Sequence, residues 1–467
     1  MDMIRRHCLA VTLSATVWLT GCTADNTYLA PTGMPATDVA PSGFSAISVS
    51  TSSADDPYAK LYPFYAEFCA VSEINKKPGF GADINGGFGG HSVLYLNGVC
   101  RDKDAGYPTI GLCAGKGAAQ TGVGLSVNDH FKNANWVATE GRDFLFYGSL
   151  KPGEGVTRTA YERTQIQAKK MGILDGVEFH QHFFKQILPG MSRRDYMYEL
   201  SIATDYAINF GRDRYCARVP MSRTQMHKVV TYLNALNAPY RDGKQEFQWD
   251  VLRNNCSHMT HNALAAAGIW TPIGVDQSIF VSAFDFPVPK NEFVNLLRRT
   301  NDMKLDDPLA VYGDDVARQS LDTLGRLPLT PGALAEAAPV VPENDLYETR
   351  SRLIFYDPMG RYQRRFEAIM ADPRYLDLRT NLTHFAEVYR QAKAARRPLD
   401  WYLDPQRKIP SPGPAQFPDF YAGFYRYIDD ESAAIDHALA ALDRLQGRER
   451  QVMVSSMTDK PPTVDTP

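Results

Sequence analysis

Residues 249–268 contain the feature that constrains this chain most, a loop that leads into a helix with one cysteine at the junction. Asn254 and Asn255 are good N-cap residues, because an amide oxygen can accept a backbone N–H of the first helical turn. The alanine-rich run that follows favours a helix, and Gly268 is the expected stop. We therefore predict a helix that begins at Cys256, where unpaired N–H groups and the helix dipole stabilise a thiolate.

A stabilised thiolate is what a cysteine nucleophile requires, although a buried cysteine at a helix start can equally serve as a small hydrophobe. The length, composition and charge of the whole chain limit the possible functions only broadly. Its length of 467 residues suggests two to three domains, and its 44% hydrophobic content is ordinary for a globular protein. The formal net charge of −3, without any basic block, gives no reason to expect a nucleic-acid partner.

The N-terminus resembles a bacterial lipoprotein signal. A positive segment at 5–7 precedes a short apolar run at 8–18, which is too short to span a membrane. Leu19-Thr-Gly-Cys22 is similar to a lipobox, in which Cys22 receives a diacylglycerol and becomes the first mature residue. Thr23 in place of Asp favours the outer membrane, facing the periplasm, by resemblance to Gram-negative sorting. An ordinary secretory signal with a chance cysteine is the alternative.

Export would allow disulfides, because the periplasm is oxidising. Five cysteines follow Cys22, so two bridges would leave one free thiol: Cys69, Cys100, Cys113, Cys216 and Cys256. We expect Cys256 to be the free one, because a bridge would abolish a nucleophile. Cys100 and Cys113 would then pair across a turn that contains Gly and Pro, leaving Cys69 with Cys216, although the sequence alone leaves the connectivity open.

A glycine loop at 78–90 leads into a predicted strand from His91 to Gly98, which ends in an Asn-Gly turn signal. The loop is not a phosphate loop, because no Gly-Lys-Ser/Thr follows it. Its glycines would allow a substrate or another backbone to approach His91 closely. His91 is thus a candidate base for the thiol of Cys256, provided that the fold brings the two side chains within hydrogen-bond reach.

Together, Gly-Gly-His91 on a strand and the later Asn-Asn-Cys256-Ser at a helix start resemble the circularly permuted papain-like (NlpC-like) cysteine hydrolases and acyltransferases. The layout is also similar to a bacterial envelope family that includes a lipoprotein N-terminal acyltransferase. The resemblance covers about residues 57–270. It implies an α+β fold, with a small antiparallel sheet and packed helices, and a nucleophile at Cys256 with a base at His91.

The same resemblance implies a third polar residue on the strand after the histidine strand. Asn128 is our first choice, with Ser126 and Asp129 behind it. The backbone N–H of Cys256 would stabilise an oxyanion, with Asn255 in support. The chain departs from the envelope family at His258, where that family usually has Thr.

Metal binding is the competing interpretation of the histidines. His258 and His261 are three residues apart on a helix and could join His91 or Cys256 around zinc. His180 and His182 are spaced for one face of a strand and more simply form a solvated surface. The cluster at 211–214 is typical of a loop salt network, with binding of a substrate carboxylate as an alternative. We expect no metal and no cofactor.

The sequence thus predicts an envelope-anchored enzyme that attacks amide or ester bonds through a thioester on Cys256. Candidate substrates are peptidoglycan peptides and the acyl groups of lipids or lipoproteins. The alternative is a non-catalytic outer-membrane scaffold that binds envelope partners. The predicted organisation is a signal peptide at 1–21, a tether at 22–56, the papain-like domain at 57–300, a helical region at 301–455 and a disordered tail at 456–467.

Overall fold

The computed structural model describes residues 56–79, 85–86, 90–114, 121–274, 287–349, 355–357 and 360–458. The predicted signal peptide, the predicted lipidation site Cys22 and the predicted tether up to residue 55 lie outside these residues. None of the helices in the described ranges is both long enough and apolar enough to cross a membrane.

A six-stranded antiparallel sheet forms the centre of the fold. In chain order the described strands are β1 (Tyr65–Val71), β2 (Ile74–Asn75), β3 (Asn85–Gly86), β4 (His91–Asn97), β5 (Val99–Arg101), β6 (Ile110–Leu112), β7 (Gly122–Ser126), β8 (Val137–Glu140), β9 (Arg214–Pro220) and β10 (Leu334–Ala338). The main sheet has the order β10-β9-β1-β4-β7-β8, while β2 pairs with β3 and β5 with β6. The predicted strand beginning at His91 is confirmed.

Strands β1 and β4 are buried along their whole length, because both faces of the sheet are covered. Successive side chains of a strand point to opposite faces. Ala66 and Phe68 therefore enter the main hydrophobic core, whereas Tyr65 and Cys69 enter a smaller core on the other face. This central position of β1 and β4 holds their ends, and the side chains at those ends, in a fixed arrangement.

Helices pack on both faces of the sheet. In chain order they are α1 (Pro57–Leu61), α2 (Arg142–Tyr147), α3 (Arg158–Met171), α4 (Arg193–Ser201), α5 (Arg223–Arg241), α6 (Cys256–Ala266) and α7 (Pro289–Asn301). Ser222 is the N-cap of helix α5, and its side chain forms a capping box with Gln225. Helix α6 lies between α5 and α7 and packs against β4, while α7 packs against β1.

The C-terminal region is helical, with its own core of Leu, Phe and Tyr side chains. Its helices are α8 (Pro308–Tyr312), α9 (Asp315–Leu324), α10 (Arg361–Ala371), α11 (Pro373–Leu376), α12 (Leu378–Ala394), α13 (Leu399–Tyr402) and α14 (Phe417–Thr458). The region predicted to be helical also contains a strand, β10, which pairs with β9 at the sheet edge. Helix α14 also continues into the predicted disordered tail, ending at Thr458.

Two disulfides join the cysteines in the pairs that the sequence suggested. Cys69 and Cys216 are directly opposite on β1 and β9, and their bridge closes a sequence separation of 147 residues. Cys100 and Cys113 bridge a separation of 13 residues around the β5–β6 hairpin. Cys256 is a free, buried cysteine.

Candidate functional site

Helix α6 begins at Cys256, as predicted. The side-chain oxygen of Asn255 accepts the backbone N–H groups of Ser257 at 2.9 Å and of His258 at 3.2 Å. The Asn255 amide group donates to the carbonyl of Val251 at 2.5 Å. Both ends of the Asn255 carboxamide are thus engaged in the helix cap, which places Cys256 in the first turn, where a negative charge is favoured.

The start of α6 contacts the start of β4. The sulfur of Cys256 accepts the backbone N–H of Ser92 at 3.3 Å, and the hydroxyl oxygens of Ser92 and Ser257 lie 2.8 Å apart. Cys256 is only 7% exposed. The main chain of β4 next to His91 is therefore in direct contact with the cysteine, although the two are far apart in sequence.

The ring of His91 has a different partner. Its Nε2 lies 2.9 Å from the hydroxyl oxygen of Ser126, and that hydroxyl donates to the carbonyl of Thr204 at 3.1 Å. A carbonyl oxygen only accepts, and a hydroxyl has a single proton, so Nε2 of His91 must be the donor to Ser126. This tautomer leaves Nδ1 as the unprotonated ring nitrogen.

The ring and the sulfur are not joined by a hydrogen bond among the described contacts. Successive side chains of a strand alternate between faces, and it is Ser92 whose side chain contacts α6. The structure therefore brings the backbone beside His91 to Cys256, whereas the imidazole is held by Ser126. Because Nε2 is engaged by Ser126, any hydrogen bond between this ring and the thiol of Cys256 has to involve Nδ1.

Among the proposed third residues, Ser126 contacts the histidine ring and Asn128 does not. Asn128 donates from its amide to the carboxylate of Asp205, which is fully buried. Asp129 lies beside His130, with 3.7 Å between carboxylate oxygen and ring nitrogen. The first-choice residue Asn128 thus belongs to a neighbouring cluster, in which Asp129 and Asp205 raise the pKa of His130 to about 8 against the opposing effect of burial.

A strained turn at 201–207 supports the site, and no sequence motif predicts it. Ala203 and Ala207 have positive φ angles of 63° and 54°, which cost energy for residues other than glycine. The carbonyl of Thr204 accepts from Ser126, and the carbonyl of Ala203 accepts from the guanidinium of Arg212 at 3.0 Å. One turn therefore holds both the partner of His91 and a buried arginine.

Two buried cations, Arg212 and Lys290, lie near Cys256 and interact with its charge. Burial lowers the pKa of Arg212 to about 10, and burial together with the charge of Arg212 lowers the pKa of Lys290 to about 7. The same two effects lower the pKa of His91 to about 3. Burial raises the pKa of the Cys256 thiol, which the N–H of Ser92 and the charge of Arg212 oppose. The resting site therefore contains a neutral imidazole and favours a protonated thiol.

Gly90 explains how Lys290 reaches this position. A Cβ atom at Gly90 would lie 1.8 Å from Nζ of Lys290 and 2.2 Å from the carbonyl oxygen of Val71, which accepts from that ammonium at 2.7 Å. The φ of Gly90 is also +80°. The glycine before His91 thus permits a close approach, as the sequence suggested, and the approaching group is the Lys290 ammonium.

The remaining histidines have protein partners or separate surroundings. His261 lies with Nδ1 2.6 Å from Glu292 and Nε2 2.9 Å from the carbonyl of Thr271, and its ring stacks on Trp270. His258 is buried, and burial lowers its pKa to about 4. Among the described residues, His258 and His261 do not form a group of possible metal ligands with His91. The side chains there that lie close enough together to bind one metal ion are Glu67, Cys69 and Cys216. These two cysteines form a disulfide.

His180 and His182 lie around a 3₁₀ helix at Gln181–Gln186 rather than on a strand. Nε2 of His180 is 2.9 Å from the carbonyl oxygen of Phe247. The predicted salt network at 211–214 is confirmed for Arg214, which pairs with Glu336 at 2.8 Å and Glu67 at 3.5 Å. Arg212 instead donates to carbonyl groups.

Comparison of the chain with protein-family models, with curated proteins and with solved structures gave no match.

Proposed function

We propose that this protein is a cysteine-nucleophile hydrolase or acyltransferase that acts on amide or ester bonds. The observation that carries the proposal is the contact between the first residue of α6 and the start of β4. There the free thiol of Cys256 lies at a capped helix N-terminus, accepts the N–H of Ser92 and is adjacent to the backbone of His91. This combination of helix dipole and donated hydrogen bond stabilises a developing thiolate.

The reaction has two steps. In the first, the sulfur of Cys256 attacks the acyl carbon, the bond to the leaving alcohol or amine breaks, and the thiol proton passes to that leaving group. In the second, water or an amine attacks the thioester, the acyl product forms, and a proton returns to the sulfur. The unprotonated Nδ1 of His91 is the candidate carrier of the proton, with Nε2 donating to Ser126.

The backbone N–H of Cys256 is the candidate donor to the oxyanion. The side chain of Asn255 acts by capping the helix, because its oxygen accepts the next two N–H groups, those of Ser257 and His258. Hydrolysis and acyl transfer share the thioester, so they differ only in which nucleophile enters second.

The finer fold assignment, a permuted papain-like domain, is part of the same proposal. It is supported by the order of a His-bearing strand before a Cys-bearing helix and by their contact in space. Two disulfides support an extracytoplasmic location. We further propose anchoring through a lipid on Cys22 at the outer membrane, with peptidoglycan peptides or lipid and lipoprotein acyl groups as substrates.

The test is mass spectrometry of the Cys256 peptide from full-length protein isolated from its own envelope. We expect an added acyl mass on Cys256 that neutral hydroxylamine removes, because hydroxylamine cleaves thioesters. His91→Ala should change the amount of this adduct, whereas His180→Ala, which removes a half-buried histidine bonded to a carbonyl elsewhere, should not. An unmodified Cys256 in the wild type and both variants would contradict the proposal.

The burial of Cys256, which is 7% exposed, favours a second candidate, a non-catalytic scaffold lipoprotein. In that case the ring would be a structural donor and the thiol a buried packing group. Cys256→Ala would then leave binding of envelope partners intact, measured by recovery of the same partners with the wild type and the variant. Loss of a chemical product in Cys256→Ala, with partner binding retained, would exclude the scaffold interpretation.

A further inference from the structure

Arg212 is a buried charge without a carboxylate partner in the described part of the chain. It is 4% exposed, and its guanidinium donates to the carbonyl oxygens of Ala203 at 3.0 Å and Ser72 at 2.7 Å. Carbonyl groups satisfy hydrogen bonds but do not neutralise a full positive charge. Asp205 and Glu73 interact with this charge without forming an ion pair to it, and a buried charge lacking a direct counter-ion is costly, so a closer anion is expected in at least one state of the protein.

Cys256 is the ionisable group placed to provide that anion. Ser72 directly follows β1, whose last residue Val71 pairs with His91. One step back along the ladder, Ala70 pairs with Ser92, whose N–H contacts the sulfur of Cys256. The guanidinium and the sulfur are therefore attached to neighbouring positions at the same end of the β1–β4 pair.

We propose that Arg212 is the counter-charge of the Cys256 thiolate, so that a guanidinium rather than an imidazolium balances the nucleophile. This inference rests on the proposed function, because it assigns how the thiol of that site is ionised. Arg212 acts through Cys256, so it is a positioning residue and not a catalytic one.

The surroundings of His91 support a guanidinium in this role. The Nε2–H of His91 is donated to Ser126, and burial with the charge of Arg212 lowers the pKa of the ring to about 3. Arginine keeps its charge in such surroundings because its own pKa is far higher. Other charged or titratable groups lie near the thiol and Arg212, on the elements packed around them. They are Lys290 on α7, Asp205, Glu73, Asp213 and Tyr347, with His258 and His261 on α6 itself.

The experiment is a pH titration of the Cys256 thiolate by its ultraviolet absorbance, with the Cys256→Ser protein as the blank. This measurement needs no substrate and no access for a reagent. We expect Arg212→Gln to raise the midpoint by about one pH unit, which corresponds to roughly a tenfold smaller thiolate fraction below the midpoint. Arg212→Lys should leave the midpoint close to the wild-type value, because lysine retains the positive charge.

Arg318→Gln is the matched control. Arg318 is also buried and donates to the carbonyls of Tyr312 and Ser411, but it pairs in addition with Asp315 and belongs to the C-terminal helical region, so it controls for the loss of a buried arginine away from the thiol. Its replacement should leave the midpoint unchanged. A folded Arg212→Gln protein with the wild-type midpoint would overturn the inference, as would a midpoint that moves in His91→Ala and not in Arg212→Gln.

A second pair of variants keeps the test open if Arg212→Gln does not fold. Cys256→Asp places a permanent anion beside Arg212, and Cys256→Asn is its neutral counterpart of similar shape. We expect the Asp protein to be at least as resistant to urea as the Asn protein at neutral pH. Lower resistance of the Asp protein would overturn the inference. If Cys256 carries a thioester but the thiol midpoint of Arg212→Gln is unshifted, the role of Arg212 is rejected and the proposed reaction stands. If the midpoint shifts but no thioester is found on Cys256, the proposed reaction is rejected.

Discussion

The sulfur of Cys256 accepts the backbone N–H of Ser92 at 3.3 Å, which joins the start of a helix to the start of a central strand. The hydroxyl groups of Ser92 and Ser257 reinforce the same junction at 2.8 Å. The geometry of the thiol therefore depends on three local features: the cap of α6, the glycine that precedes β4, and the sheet that holds β4 in place. Each feature can be perturbed separately.

Asn255→Ala should destabilise the protein by about 1 kcal/mol, because the backbone N–H groups of Ser257 and His258 lose their acceptor. Asn255→Asp should be much less costly, since it keeps an acceptor oxygen and adds a charge that the helix dipole favours. Urea unfolding measures both effects. Equal losses in the two variants would show that the amide group, which donates to Val251, matters more than the cap.

Gly90→Ala should be more destabilising than Gly79→Ala. Both glycines have positive φ, +80° and +87°, so both substitutions strain the backbone, which costs roughly 1–2 kcal/mol. A Cβ at Gly79 would meet no atom within 4 Å, whereas at Gly90 it would meet Lys290 and Val71. The steric conflict should add about 1–3 kcal/mol at Gly90. Thermal or urea unfolding of the two variants isolates this difference, and equal losses would contradict it.

Removal of the Cys69–Cys216 bridge should cost more stability than removal of the Cys100–Cys113 bridge. Cross-links that close longer loops restrict the unfolded chain more, and the separations are 147 and 13 residues. The chain-entropy relation predicts a difference of about 2 kcal/mol between the paired Cys→Ala variants. Their free energies of unfolding under non-reducing conditions provide the measurement. A larger loss for the hairpin bridge would contradict the expectation.

Acid should destabilise the protein partly through His91. Burial lowers the pKa of His91 from its ordinary 6.5 to about 3, so below pH 6.5 the unfolded chain binds a proton that the folded chain does not. The free energy of unfolding therefore decreases progressively through His91 as the pH falls from 6.5 towards 3. His91→Asn should flatten this part of the stability–pH curve, measured by urea unfolding at several pH values. His180→Asn is the control and should leave the slope unchanged; a wild-type slope in His91→Asn would refute the effect.

Features that depend on neighbouring residues were predictable from sequence. The start of α6 follows from the cap at Asn255, and the start of α5 follows from Ser222 and Gln225, because capping bonds span only two or three residues. The β4 strand followed from its β-branched and aromatic residues and its turn signal. Strand β1 has no comparable signal, because full burial on both faces removes the alternating pattern.

The sequence by itself thus determined where the cysteine helix and the histidine strand begin, since local hydrogen bonds and residue propensities decide such boundaries. Only the tertiary structure decided that Ser126 rather than Asn128 holds His91, that β10 joins the sheet, and that Arg212 and Lys290 lie beside the thiol. Those choices depend on strand pairing and on which buried groups share one low-dielectric space. Such relations arise between residues that are distant in the chain, so no local pattern encodes them.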